Sequence, residues 1–187
     1  MDNPAFQRRR LTVDDVLRMV KAGALDEDEP LELLDGDLIV VSPQGPLHRG
    51  LTVLVHQALV RTFSEGHHVQ DHSPIVAGEH NMPEPDCTVI RGSAADFLEV
   101  HPTGQDVVIA VELSVTSQAL DRAKAVIYAA AGVPCYCQVD VPARRATVFT
   151  APREDAAEYS RVALLVDGEG FEVEGRRIEL SDLLPPR

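Results

Sequence analysis

Residues 106–114, Asp106-Val107-Val108-Ile109-Ala110-Val111-Glu112-Leu113-Ser114, are apolar almost throughout and carry one acid near their end. A run of that kind reads as a central strand, over 106–113, buried on both faces. The spacing that follows predicts a helix from about 118 to 131, stopped at Gly132. Val133-Pro134-Cys135-Tyr136-Cys137-Gln138-Val139-Asp140 then reads as a second strand. A strand–helix–strand unit across 106–140 makes the two strands parallel neighbours with a right-handed crossover. The rest of the chain must be arranged around that pair.

Upstream, Cys87-Thr88-Val89-Ile90 follows Pro83-Glu84-Pro85-Asp86 and predicts a strand over 86–91. Another strand is expected near 68–78. His48 to Phe63 has helical spacing, with Leu51, Leu54, Val55, Ala58 and Leu59 on one face. Leu31 to Val41 reads as a β-hairpin, because Asp35-Gly36 suits a type I′ turn. Thr12 is a good N-cap for a helix that ends at Gly23, with Asp14 and Asp15 in its first turn. Downstream, strands are expected at 145–150, 159–166 and 171–180, with a closing hairpin at Asp167-Gly168. The fold class is therefore α/β: a mixed, α+β sheet flanked by helices, with C-terminal β-hairpins. Residues 1–10 read as a flexible tail and 11–187 as a single domain.

Composition narrows the function. A chain of 187 residues can bury a real core. No apolar run approaches the roughly 20 residues that span a membrane. The N-terminal segment has no apolar signal region, and the three cysteines are odd in number. A reduced, cytoplasmic protein is the expectation. The net charge of −13 counts against avid, non-specific binding of nucleic acid. Arginine clusters at 8–10, 144–145 and 176–177 leave room for a local basic patch.

Three residues stand out chemically. Asp86 precedes one strand and Glu112 closes another, so neighbouring strands would bring two carboxylates together. Lys124 follows on the next helix. Of 17 basic residues only Lys21 and Lys124 are lysines, so a lysine kept at 124 has a reason to be one, or has survived by chance on a solvated face. Two carboxylates and an ammonium suit a divalent-metal phosphodiesterase: oxygen ligands for a hard cation and a positive group near the attacked phosphate. The plainer alternative is a pair of strand-end acids facing water or an arginine. Glu32, between Leu31 and Leu33, is a third ligand or a surface acid. His48 opens a helix and binds phosphate, polarises water or is simply exposed there. His67, His68, His72 and His80 read as surface or edge positions. No close Cys/His pairs suggest zinc.

The succession LELLDGDLIVVSPQGPLHRG, then PEPDCTVI, then VVIAVELSVTSQALDRAKAVIYAAAGVPCYCQVD resembles the putative restriction endonuclease domain family of the PD-(D/E)XK nuclease superfamily. The resemblance covers about residues 10–150. It implies a restriction-endonuclease-like core, with Asp86 as the first catalytic aspartate and Glu112 as the acid of the (D/E)XK element. Glu32 matches the acid of the family's early hairpin. Ser114 stands where the superfamily has its lysine, and the resemblance moves that role to Lys124 on the following helix, here three residues after Asp121 where similar sequences have four. Cys135 and Cys137 replace the usual aromatic and acid around Tyr136. His48 matches a frequent histidine of unknown role. The implied activity is hydrolysis of phosphodiester bonds, most naturally in DNA. Mg2+ or Mn2+ would be held by Asp86, Glu112, the Leu113 carbonyl and Glu32, with Lys124 at the attacked phosphate. A homodimer is expected, since two sites cut two strands more simply. The competing expectation is an inactive nuclease fold kept as a binding or regulatory module.

Overall fold

A computed structural model describes residues 8–26, 28–115 and 119–186, without the side chains of 119–122. Its centre is a six-stranded sheet in the order β3-β4-β5-β6-β7-β8. These strands are β3 (His67–Asp71), β4 (Cys87–Arg91), β5 (Val107–Ser114), β6 (Cys135–Asp140), β7 (Arg145–Arg153) and β8 (Glu158–Val166). All neighbours are antiparallel except β5 and β6, which are parallel and joined through α3 (Ala119–Ala130). All eight residues of β5 are buried, as their composition requires.

Two further hairpins stand apart from this sheet. β1 (Leu31–Leu34) pairs with β2 (Asp37–Val40) across Asp35 and Gly36, both at positive φ as a type I′ turn needs. β9 (Gly170–Val173) pairs with β10 (Arg176–Glu179). Thr12 caps α1 (Val13–Lys21) through a reciprocal pair of hydrogen bonds with Asp15. α2 (Pro46–Thr62) begins at a proline, where the missing N–H costs nothing.

The sheet is covered on both sides. On one face Leu51, Val55 and Leu59 of α2 pack with Val89, Val111, Cys137 and the C-terminal Leu180 and Leu183. On the other, Tyr128 of α3 packs with Ile90, Ala110 and Tyr136.

Several expectations need correction. The strand expected over 68–78 ends at Asp71. His72 takes φ 43°, which turns the chain off the ladder into a loop back to Asp86. Leu54 is exposed, and Thr52 takes its place on the buried face of α2. The segment 171–180 is two strands, not one. Asp167-Gly168 is a tight turn, but β8 and β9 do not pair across it; β9 turns back on β10 instead. Residues 1–7 of the expected tail lie outside the described residues. Arg9 pairs with Asp15, and Arg10 with Asp35.

All three cysteines are free and buried. Burial pushes the Cys135 thiol up to about 12, and the Cys87 and Cys137 thiols up as well. The thiolate is the reactive form, so the native protein should be inert to a thiol reagent at neutral pH and should release three equivalents after denaturation. A fast-reacting thiol in the native state would contradict this packing.

Candidate active site

The antiparallel register of β4 and β5 decides the site. Cys87 lies opposite Val111, so Asp86 and Glu112 sit one step beyond that pair at the same end of the sheet. The backbone N–H of Leu113 donates to Asp86 Oδ2 at 2.7 Å, locking the aspartate to the neighbouring strand. Pro83 and Pro85 stiffen the approach.

α3 then carries Lys124 back over the end of β5. Its ammonium donates to Glu112 Oε1 at 2.8 Å and to Glu32 Oε1 at 2.9 Å. The hydroxyl of Tyr128, one helical turn on, donates to the same Glu112 oxygen at 3.0 Å. Glu32, Asp86, Glu112 and Lys124 are all buried. The structure thus brings together Glu32, Glu112 and Lys124 in direct contact, with Asp86 beside them. Ser114, the residue in the superfamily's lysine position, is buried two residues further along β5.

The electrostatics follow from that crowding. Burial raises Glu112 more than the ammonium lowers it, and Asp86 and Glu32 raise it further. Desolvation pulls Lys124 down, but the two carboxylates outweigh it and keep the ammonium charged. Glu84 is pushed up to about 7 by burial and by the charge on Glu32, against the pull of Lys124. Four acids therefore share a space with one ammonium, and they do not all ionise freely.

A second group surrounds Asp86. His48 Nε2 lies 3.2 Å from Asp86 Oδ2, and His72 Nδ1 lies 3.5 Å from Oδ1. Gln44 bridges His72 and Asp86. The Asp86 hydrogen bond raises His48, burial opposes it, and the charges of Asp86 and Glu112 add to the rise. His72 is exposed, as a surface position should be, but the turn that ends β3 brings its ring within 3.5 Å of Asp86. Tyr128, Glu84 and Gln44 join the site through the fold. Tyr128 sits four residues after Lys124, the spacing that puts two helical residues on one face, and that signal was available.

The donor chemistry fits a hard divalent cation. The acids offer buried carboxylate oxygens, and Glu32 Oε2 is buried without a hydrogen-bond partner. Among the described residues no three His, Cys, Asp or Glu side chains converge at metal-ligand spacing. A cation would draw on Asp86, Glu112 and the Leu113 carbonyl, with the unpartnered Oε2 of Glu32 as a further oxygen. Beside Glu112 in the parallel register stands Gln138, at the edge of a cavity of about 410 Å3 bordered by Ala125, Asp140, Arg145 and Thr147.

A mixed sheet of this order, with acids at one end of two central strands and a lysine from the crossover helix, is a nuclease fold. The chain belongs to the Uma2 family, described as "Putative restriction endonuclease", which matches residues 13–185. It is also similar to the crystal structure of a putative nuclease of the DUF820 group from Anabaena variabilis. That likeness has a TM-score of 0.72 at 16% identity and covers 92% of this chain and 97% of the other. At such identity the likeness speaks for the fold. No curated protein matches the chain.

Proposed function

We propose that this chain is a metal-dependent endonuclease hydrolysing phosphodiester bonds in DNA. The supporting observation is the buried contact of Lys124 with Glu112 and Glu32, next to an Asp86 clamped by the Leu113 N–H. Asp86, Glu112, the Leu113 carbonyl and Glu32 would hold Mg2+ or Mn2+. When bound, that ion supplies Lewis-acid polarisation of the phosphoryl group and a more acidic water. Lys124 would orient the attacking water or meet negative charge on phosphorus. Glu32 and Tyr128 position those two groups: Glu32 holds the ammonium, and Tyr128 holds the Glu112 carboxylate in one rotamer. His48 and His72 steady Asp86 and screen its charge from an incoming phosphate. The protein would work as a homodimer in the cytoplasm.

The test is a supercoiled-plasmid nicking assay with Mg2+ or Mn2+. Wild type should nick the plasmid, chelation should stop it, and Glu112→Gln and Lys124→Ala should each lose about 10²–10³-fold in rate. Equal rates in wild type and both variants reject the assignment. The net charge of −13 favours one other reading, a non-catalytic binding or regulatory module. Calorimetry with Mn2+ separates the two: heat of binding that disappears in Asp86→Asn supports the enzyme, and no binding to wild type supports the module.

A further inference from the structure

β8 is the outermost strand of the sheet. It pairs with β7 on one side, and among the described residues no strand pairs with its other side. Its second half, Val162-Ala163-Leu164-Leu165-Val166, is five apolar residues with no charge and no proline. Val162, Leu164 and Val166 are 60%, 62% and 53% exposed. An open, uncharged, apolar edge is what natural sheets usually avoid, because it templates further pairing.

At the end of this edge the outward backbone groups are taken by Glu169, and they show which way the strand faces. The Val166 N–H donates to Glu169 Oε2 at 2.8 Å, and its carbonyl accepts from the Glu169 N–H at 3.0 Å. The Val166 amide groups therefore point away from β7. Antiparallel strands alternate, so the amide groups of Leu164 and Val162 also point outward. A side-chain patch would accept many partners, but a row of outward N–H and C=O groups calls for an extended strand.

We propose that β8 is the dimer interface: it pairs antiparallel with β8 of a second copy across a two-fold axis, fusing two six-stranded sheets into one. Three features favour that occupant. Any strand is its own antiparallel complement, so one surface serves both copies. Val162 and Leu164 would meet each other across the axis, covering both exposed side chains. The charges are also arranged end to end: Arg161 precedes the apolar run, and Asp167 and Glu169 follow it. Asp167 is already paired with Arg144, so a two-fold pairing brings Arg161 toward Glu169 of the second copy, which matters in a chain carrying −13.

This gives the homodimer of the proposed function its surface. It is read by mass, without a nuclease assay, so the two readings fail separately. Light scattering of the full chain should give twice the chain mass of 20.4 kDa. Val162→Pro removes only an outward N–H and should leave the β7 ladder intact. It and Leu164→Lys should both return the mass to 20.4 kDa with an unchanged circular dichroism spectrum. Ala163→Cys, next to the axis, should give a disulfide-linked dimer on a non-reducing gel. A wild type at 20.4 kDa overturns the proposal, as does a dimer that survives both folded variants without cross-linking through residue 163. A stable complex formed only with some other protein would overturn it too.

Discussion

Lys124→Met should destabilise the folded chain by about 3–5 kcal/mol at neutral pH, because it strands two buried carboxylates without their cation. In wild type the ammonium lies 2.9 Å from Glu32 and 2.8 Å from Glu112, with all three side chains buried. Without it, each carboxylate feels both burial and the other's charge. Glu112, already raised by burial in wild type, loses the ammonium that lowered it and rises further, so the folded state holds its proton more tightly. The deficit should be smallest below the unfolded carboxylate pKa and should grow as pH rises toward the folded value. Urea unfolding at a series of pH values measures this. Adding Glu32→Gln and Glu112→Gln to Lys124→Met should recover most of the loss at neutral pH. A deficit independent of pH would mean that the lysine's packing matters and its charge does not.

Tyr136→Ala should cost about 3–5 kcal/mol, the usual range for deleting a buried aromatic ring. Tyr136 is fully buried on β6, 4.9 Å from the Tyr128 ring and 5.4 Å from Phe149. The cavity opens in the middle of the α3 face, where the sheet cannot collapse without moving the helix. A chain of this size should lose roughly 6–20 °C in melting temperature. The same cavity frees the ring of Tyr128, whose hydroxyl holds Glu112. A variant that melts as wild type does would show that α3 is anchored elsewhere.

Much of this architecture could be read from short-range signals. Thr12 with Asp15, Asp35-Gly36 and the apolar run into Glu112 each specify a local structure by themselves. The parallel pairing of β5 and β6 followed from one rule about crossovers. The errors arose where local signals are weak. Nothing before His72 marks the turn that ends β3, since His67 to Asp71 has no clear alternation. Leu54 and Thr52 exchange burial because α2 has apolar residues around most of its circumference, so periodicity alone does not choose the inward face. The contacts of Lys124 with Glu32 and of His72 with Asp86 depend on how distant segments dock. Those contacts were beyond a reading of strands and helices one at a time, although the family resemblance pointed to Glu32.

Glu32 and Lys124 are 92 positions apart in the chain. A ribosome adding about 5–20 residues per second leaves the early hairpin waiting roughly 5–20 s before its cation is even translated. During that interval Glu32 lacks its cation, although Leu33 of β1 can already pack on Val13 and Val16 of α1. Assembly of the acidic centre must therefore be a late event in the birth of this protein, closing only after the crossover helix has cleared the exit tunnel.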